Sequence, residues 1–179
     1  MATAQATISR GFRSMPLPAI AAFTAMGLFI ILMGFFGASS GFKSGAVPVG
    51  LLVSGSVAAV AFHVVMFLVV AAMPAPSWAK AAGYGWLVVD IACSVMTLNG
   101  VAASITTPLR YGGHIPAGIW IAATAWQAGG LVRYVGVALA ICLAGYSFIA
   151  PWVPFVAFVP AIILMIAWLP LVGRTLLRG

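Results

Sequence analysis

Two residues in this chain could hold a proton at bilayer depth: Asp90, the one acid in the sequence, and His63. Each stands inside a long apolar run. A charged side chain at the centre of a membrane helix costs about 2.5–3.5 kcal/mol on insertion scales, so one that is present marks a functional site by default. At a rise of 1.5 Å per residue, Asp90 is expected about 12 Å and His63 about 15 Å from one membrane face. The proline-rich stretch 74–81 turns their two helices into an antiparallel hairpin, which brings the side chains within reach. An Asp–His pair in lipid shares one proton, and each partner shifts the other's titration. Such a pair serves a proton relay or an ion-coupled pocket, or, as the more ordinary role, a structural clamp that fixes helix register. Ser94, Thr97 and Ser104 follow Asp90 at i+4, i+7 and i+14 and share its face, which should point into the bundle.

The other polar residues point to less. His114, beside Arg110 and Tyr111, is expected at the membrane boundary. The depths expected for His63 and His114 differ by more than half of the roughly 30 Å hydrocarbon thickness, which argues against a bis-His haem, whose ligands must reach one iron. Cys93 and Cys142 lie at mid-depth. With His63 and Asp90 their chemistry suits zinc or copper, but the spacing matches no ligand motif, and buried thiols pack as small hydrophobes. Ser54-Gly55-Ser56 precedes His63 by two helical turns, about 10 Å, with no GxSxG present. One carboxylate also excludes a glycosidase pair, a di-iron site, two-metal phosphotransfer and a HExxH zinc site. No catalytic residue, metal or other cofactor is expected.

The elements that position these residues follow from composition. Of 179 residues, 64% are apolar and 5% charged, with a mean hydropathy of +1.21, against about 25% charged in soluble proteins. Lipid is the solvent, and helices are the elements that satisfy backbone groups there. The predicted fold is an all-α polytopic bundle of six helices at about 17–38, 47–73, 82–105, 115–128, 131–149 and 152–172, in a single membrane domain. Turn chemistry falls at Ser39-Ser40-Gly41, Pro74 to Ser77, Thr107-Pro108, Gly112-Gly113 and Ala150-Pro151, so 106–114 reads as a loop. The fourth segment is short, and four spans with a re-entrant hairpin is the second reading. Arg10 and Arg13 followed by an apolar stretch resemble a signal peptide, but 17–36 is longer than the roughly 7–15 residues of a signal core, so a retained first span is expected.

Charge supports six spans. The basic residues fall almost singly between apolar runs, as topology signals do, and not in the stripe that nucleic acid would need. Six spans put Arg10, Arg13, Lys80, Arg133, Arg174 and Arg178 inside and Lys43 and Arg110 outside, with both termini cytoplasmic. Trp78, Trp86, Trp152 and Trp168 near segment ends suit the headgroup level. Small residues at packing spacing, among them Gly27 and Gly34, Gly50 to Ala58, Gly118 and Ala122, and Gly136 to Ala144, let helix backbones approach. Pro160 should kink the sixth helix.

Gly118-Ile119-Trp120, the run Gly129-Gly130-Leu131-Val132-Arg133-Tyr134-Val135-Gly136, Leu143-Ala144-Gly145-Tyr146 and the closing Ala167-Trp168-Leu169-Pro170-Leu171-Val172-Gly173-Arg174 form a pattern. Over these last three helices the chain resembles a bacterial six-span integral membrane family of unknown function. The family pattern has proline where Val132 stands. The resemblance implies six spans and a bacterial inner membrane, and no activity. The sequence thus predicts a small membrane protein without a catalytic site, packing with itself or as an accessory subunit of a membrane complex. A small proton- or ion-coupled carrier using Asp90, His63, Ser94 and Thr97 is the alternative. The lipid bilayer is the expected partner, and nucleic acid is not.

Overall fold

In the computed structural model, residues 15–40 and 47–178 are described. Arg10, Arg13, Gly41 and Lys43, whose charge or turn character enters the topology argument, lie outside the described residues. The described chain forms six α-helices: α1 Leu17–Ser40, α2 Val49–Ala72, α3 Ser77–Leu98, α4 Ala103–Ala128, α5 Gly130–Ile149 and α6 Val159–Arg178, with a short 3-10 helix at Phe155–Phe158 before the last. Each helix packs on its neighbours in sequence, and α6 returns to α1. The result is a closed up-and-down ring. Two of its connections are short: Pro76 opens α3 soon after α2 ends, and Gly129 alone separates α4 from α5. Gly129 and Gly130 take φ of +72° and +54° there, a region that strains any residue with a Cβ.

Five of the helices are long and apolar enough to cross a membrane. Their outward faces expose Ile31, Val57, Val64, Val88, Ile141 and Ile163, while Asp90, His63, Ser94 and Thr124 are buried. Apolar outside and polar inside is the arrangement that lipid demands. The chain is a multi-pass helical membrane protein.

α4 departs from expectation. It begins at Ala103 and runs 26 residues, about 39 Å at 1.5 Å per residue, so the segment expected as a loop at 106–114 is helical. Pro108 and Pro116 lie inside it. Proline and glycine are tolerated in membrane helices because neighbouring helices satisfy the freed groups. The full length of α4 leaves no short fourth segment for a re-entrant hairpin to explain. α3 ends at Leu98, so Ser104 belongs to α4 and is exposed, off the face of Asp90. Pro160 occupies the first turn of α6, where its missing N–H costs no helical bond; Pro170 is the interior proline.

Close packing uses only some of the small residues. A Cβ on Gly136 would strike Ala125 and the Trp168 indole, and one on Gly118 would meet Ala144 and the Ala140 carbonyl oxygen at 3.0–3.1 Å. Gly27, Gly34 and Gly50 have open space there instead, so no close backbone approach depends on those three glycines. Gly136→Ala should destabilise the protein by about 1–3 kcal/mol, the usual cost of overpacking, whereas Gly27→Ala should change stability by about 0.5 kcal/mol or less. Reversible unfolding in mixed micelles measures both.

Candidate functional site

The site grows from α3. Asp90 lies about 20 Å along that helix from Ser77, deeper than expected because the helix starts five residues before the predicted span at 82. Its side chain is 2% exposed. Trp86, one turn back, donates its indole N–H to Asp90 Oδ2 at 2.5 Å. From α2, His63 Nε2 stands 3.1 Å from the same oxygen. The expected pair therefore forms. From α4, the Arg110 guanidinium reaches Asp90 Oδ1 at 3.3 Å, and His114 Nε2 lies 3.9 Å from Oδ2.

Hydrogen-bond chemistry constrains the pair. His63 Nδ1 lies 2.7 Å from the Ala59 carbonyl oxygen, which only accepts, so Nδ1 carries hydrogen. In a neutral imidazole the other nitrogen is then an acceptor. It faces a carboxylate oxygen, a second acceptor. The 3.1 Å contact is attractive only when one proton lies between them, on His63 or on Asp90. The pair with its proton is neutral overall. With Arg110 next to it, the cluster as a whole is one positive charge in excess.

Ser94 and Thr97 divide. Ser94 donates to the Asp90 backbone carbonyl at 2.9 Å and accepts from Arg110 Nη2 at 3.2 Å, which ties α3 to α4. Thr97 donates back to the Cys93 carbonyl at 2.8 Å and stays outside the Asp90 cluster. Cys93 is buried and Cys142 half-buried, both as free thiols. Among the described residues, no group of three His, Cys or Asp side chains is arranged to hold a metal ion.

Three members of the site were not legible as such. Arg110 and His114 stand i,i+4 on α4, a spacing that puts them on one helix face; reading 106–114 as a loop hid it. His114 is therefore inside the bundle and not at the membrane boundary. The depth argument that separated the two histidines fails with it, since both reach one carboxylate oxygen. Trp86 and Trp168 are buried, whereas Trp78 and Trp152 are exposed near helix ends. Only the latter two remain candidates for interfacial anchors.

The cluster opens on a cavity of about 140 Å³ that all six helices line. His63, Asp90, Arg110 and His114 form its polar wall, and Phe29, Phe62, Leu139, Leu143, Phe158 and Met165 its apolar one. A second cavity of about 200 Å³ lies toward the α3–α4 turn, with Ser39, Ser56, Thr97, Thr106 and Thr107 in its lining. Arg110, Thr106 and Thr107 border both. On the other side of Asp90 the bundle is closed by indoles. Trp86 stacks on Trp120 at 6.2 Å, and Trp120 meets Trp168 edge-on at 5.7 Å.

The fold and site together define a multi-pass helical membrane protein with a buried ionic cluster. No protein-family model matches the chain, and no curated protein or solved structure matches it either.

Asp90→Asn should destabilise the bundle by about 3 kcal/mol, the lower end for breaking a buried ion pair, since it strands Arg110, whose side chain is 25% exposed. The double variant Asp90→Asn/Arg110→Gln should recover most of that loss. Additive losses in the double-mutant cycle would mean that the two side chains do not interact.

Proposed function

We propose that this protein is a small proton-coupled carrier that uses the Asp90–His63 pair as its proton site. The observation that supports it is the facing of two acceptors, His63 Nε2 and Asp90 Oδ2, at 3.1 Å beside a cavity. A carrier needs an intramembrane group that gains and loses a proton, and a space next to it for a solute. The His63–Asp90 contact and the cavity support both, and the cavity is lined by every helix, so a change in helix packing alters the surroundings of solute and proton together. A role as an accessory or self-associating subunit requires only packing surfaces. It leaves the cavity and the proton without a purpose and stands second.

The membrane we propose is the bacterial inner membrane, on the resemblance of the last three helices, with both termini cytoplasmic. Lys80, Arg133, Arg174 and Arg178 all fall at one end of the ring, as the positive-inside rule asks. Lys80 and Arg133 also cap the helices before them, donating to the carbonyls of Ala71 and Trp126. The Ser- and Thr-lined cavity then faces the outside.

Purified protein in liposomes with an imposed pH gradient should show solute-dependent proton movement above that of empty liposomes, followed with an entrapped pH dye over a panel of small acids, bases and neutral solutes. His63→Gln and Asp90→Asn should each reduce that coupled movement at least tenfold while the protein remains folded. Undiminished coupled flux in Asp90→Asn removes the carrier reading. For orientation, single cysteines at exposed positions 78 and 152, introduced after removing Cys93 and Cys142, should react with an impermeant maleimide in whole cells only at position 152. The opposite pattern reverses the topology.

A further inference from the structure

We infer that the cavity beside Asp90 binds a small monoanion built on one apolar ring, an aromatic monocarboxylate, with Arg110 as its anchor. The inference rests on the carrier reading and names the solute class of that site.

Charge comes first. The groups that face Asp90 are His63 from α2 and Arg110, Tyr111 and His114 from α4; α1, α5 and α6 turn only apolar side chains to the cavity. The His63–Asp90 pair holding its single proton sums to zero. His114 in its neutral form adds nothing, and Arg110 is permanently cationic. The proton-loaded site is thus one positive charge in excess, and an anion cancels that excess. A cation would meet Arg110 at once, and a neutral solute would leave the charge uncompensated.

Hydrogen bonding gives the same answer. A guanidinium carries five N–H donors in a fork that fits carboxylate. Arg110 has the Ser94 hydroxyl and Asp90 Oδ1 as acceptors near it, and its contact with Oδ1 is a charge contact only, for Oδ1 accepts no hydrogen bond. His114 Nδ1 is likewise buried without a partner. Both groups line the cavity. A carboxylate there takes spare donors from Arg110.

Size and wall chemistry supply the rest. A cavity of about 150 Å³ holds one benzene ring, and this one measures about 140 Å³. Phe29, Phe62 and Phe158 face it, which suits an aromatic ring edge-on or offset. Arg110 borders both this cavity and the outer one, so an anion meets it on the way in.

The test is equilibrium binding to the full chain in nanodiscs, in chloride-free buffer, with benzoate against benzyl alcohol and benzylammonium. Benzoate should bind saturably, at least tenfold more tightly than either analogue. Its affinity should fall as pH rises and the pair loses its proton, since Asp90 then neutralises Arg110. Arg110→Gln should weaken benzoate at least tenfold, with Arg110→Lys intermediate. Asp90→Asn should keep benzoate binding but lose its pH dependence, and added benzoate should raise the Tm of that variant more than that of the native protein. The inference is overturned by absent benzoate saturation, by equal binding of either analogue, by chloride competing as well as benzoate does, or by unchanged affinity in folded Arg110→Gln. Benzoate binding that is independent of pH in the native protein would uphold the solute class and remove the proton-coupled reading, so the two ideas fail separately.

Discussion

A lone carboxyl group in the middle of six lipid-bathed helices constrains everything placed around it. Asp90 cannot be left ionised without partners there, because an uncompensated charge in a low-dielectric interior costs several kcal/mol even after relaxation. The bundle meets that demand from three directions: an indole N–H from the same helix, an imidazole from α2 and a guanidinium from α4. The demand also fixes register. Moving α4 by one residue relative to α3 would rotate Arg110 and His114 by about 100° off the site, given 3.6 residues per turn. A structural clamp and a working proton site are therefore compatible descriptions of one cluster. What favours the second is the cavity beside it and the approach of His63 Nε2 to a carboxylate oxygen while Nδ1 faces the Ala59 carbonyl.

Much of this was legible from residue types alone. Apolar composition and breaker spacing were enough for an all-α bundle of six helices, and the hairpin across Pro74 and Pro76 was enough to bring His63 to Asp90. The remainder was hidden by one physical confusion. Thr107-Pro108 and Gly112-Gly113 break helices in water, where freed carbonyls turn to solvent; within a bundle the same residues continue the helix. With α4 begun at Ala103, Arg110 and His114 fall on one face by simple periodicity. The tryptophans were misread for a related reason. An indole near a segment end suits the interface, but Trp86 and Trp168 are used for volume and, in Trp86, for one hydrogen bond to Asp90. Their neighbours carry the signal: a Cβ on Gly83 would stand 2.8 Å from the Trp120 ring, and Gly136 yields its space to Trp168.

The two halves of the ring differ in what they offer a solute. Toward the α3–α4 turn, the hydroxyls of Ser39, Ser56, Thr97, Thr106 and Thr107 line a cavity that meets the site at Arg110. Toward the basic end, Trp86, Trp120 and Trp168 fill the section with rings seated on glycines. The Trp120 and Trp168 N–H groups there have no hydrogen-bond partner, and neither does the Thr124 hydroxyl. Unpaired polar groups in a tightly packed layer lower its stability relative to a fully apolar one. The closed side is thus dense and yet carries polar groups that water would satisfy on opening.

On the carrier reading, α4 is the element that must link these halves. Like α3, it contributes to all three regions: to the outer cavity through Thr106 and Thr107, to the ionic site through Arg110 and His114, and to the closed layer through Trp120 and Thr124. It also carries two interior prolines, Pro108 and Pro116. Each removes one backbone hydrogen bond, to the carbonyls of Ser104 and Gly112 respectively, and they bracket the two charged or ionisable side chains. A helix weakened on both sides of its functional residues bends there more readily than elsewhere. When an anion takes over the Arg110 guanidinium, the tie from Arg110 to Asp90 is relaxed, and the Ser94 and His114 contacts are the polar links left between this section of α4 and α3. The same event that fills the site therefore loosens the helix whose tryptophan closes the other side, which is the coupling a carrier requires.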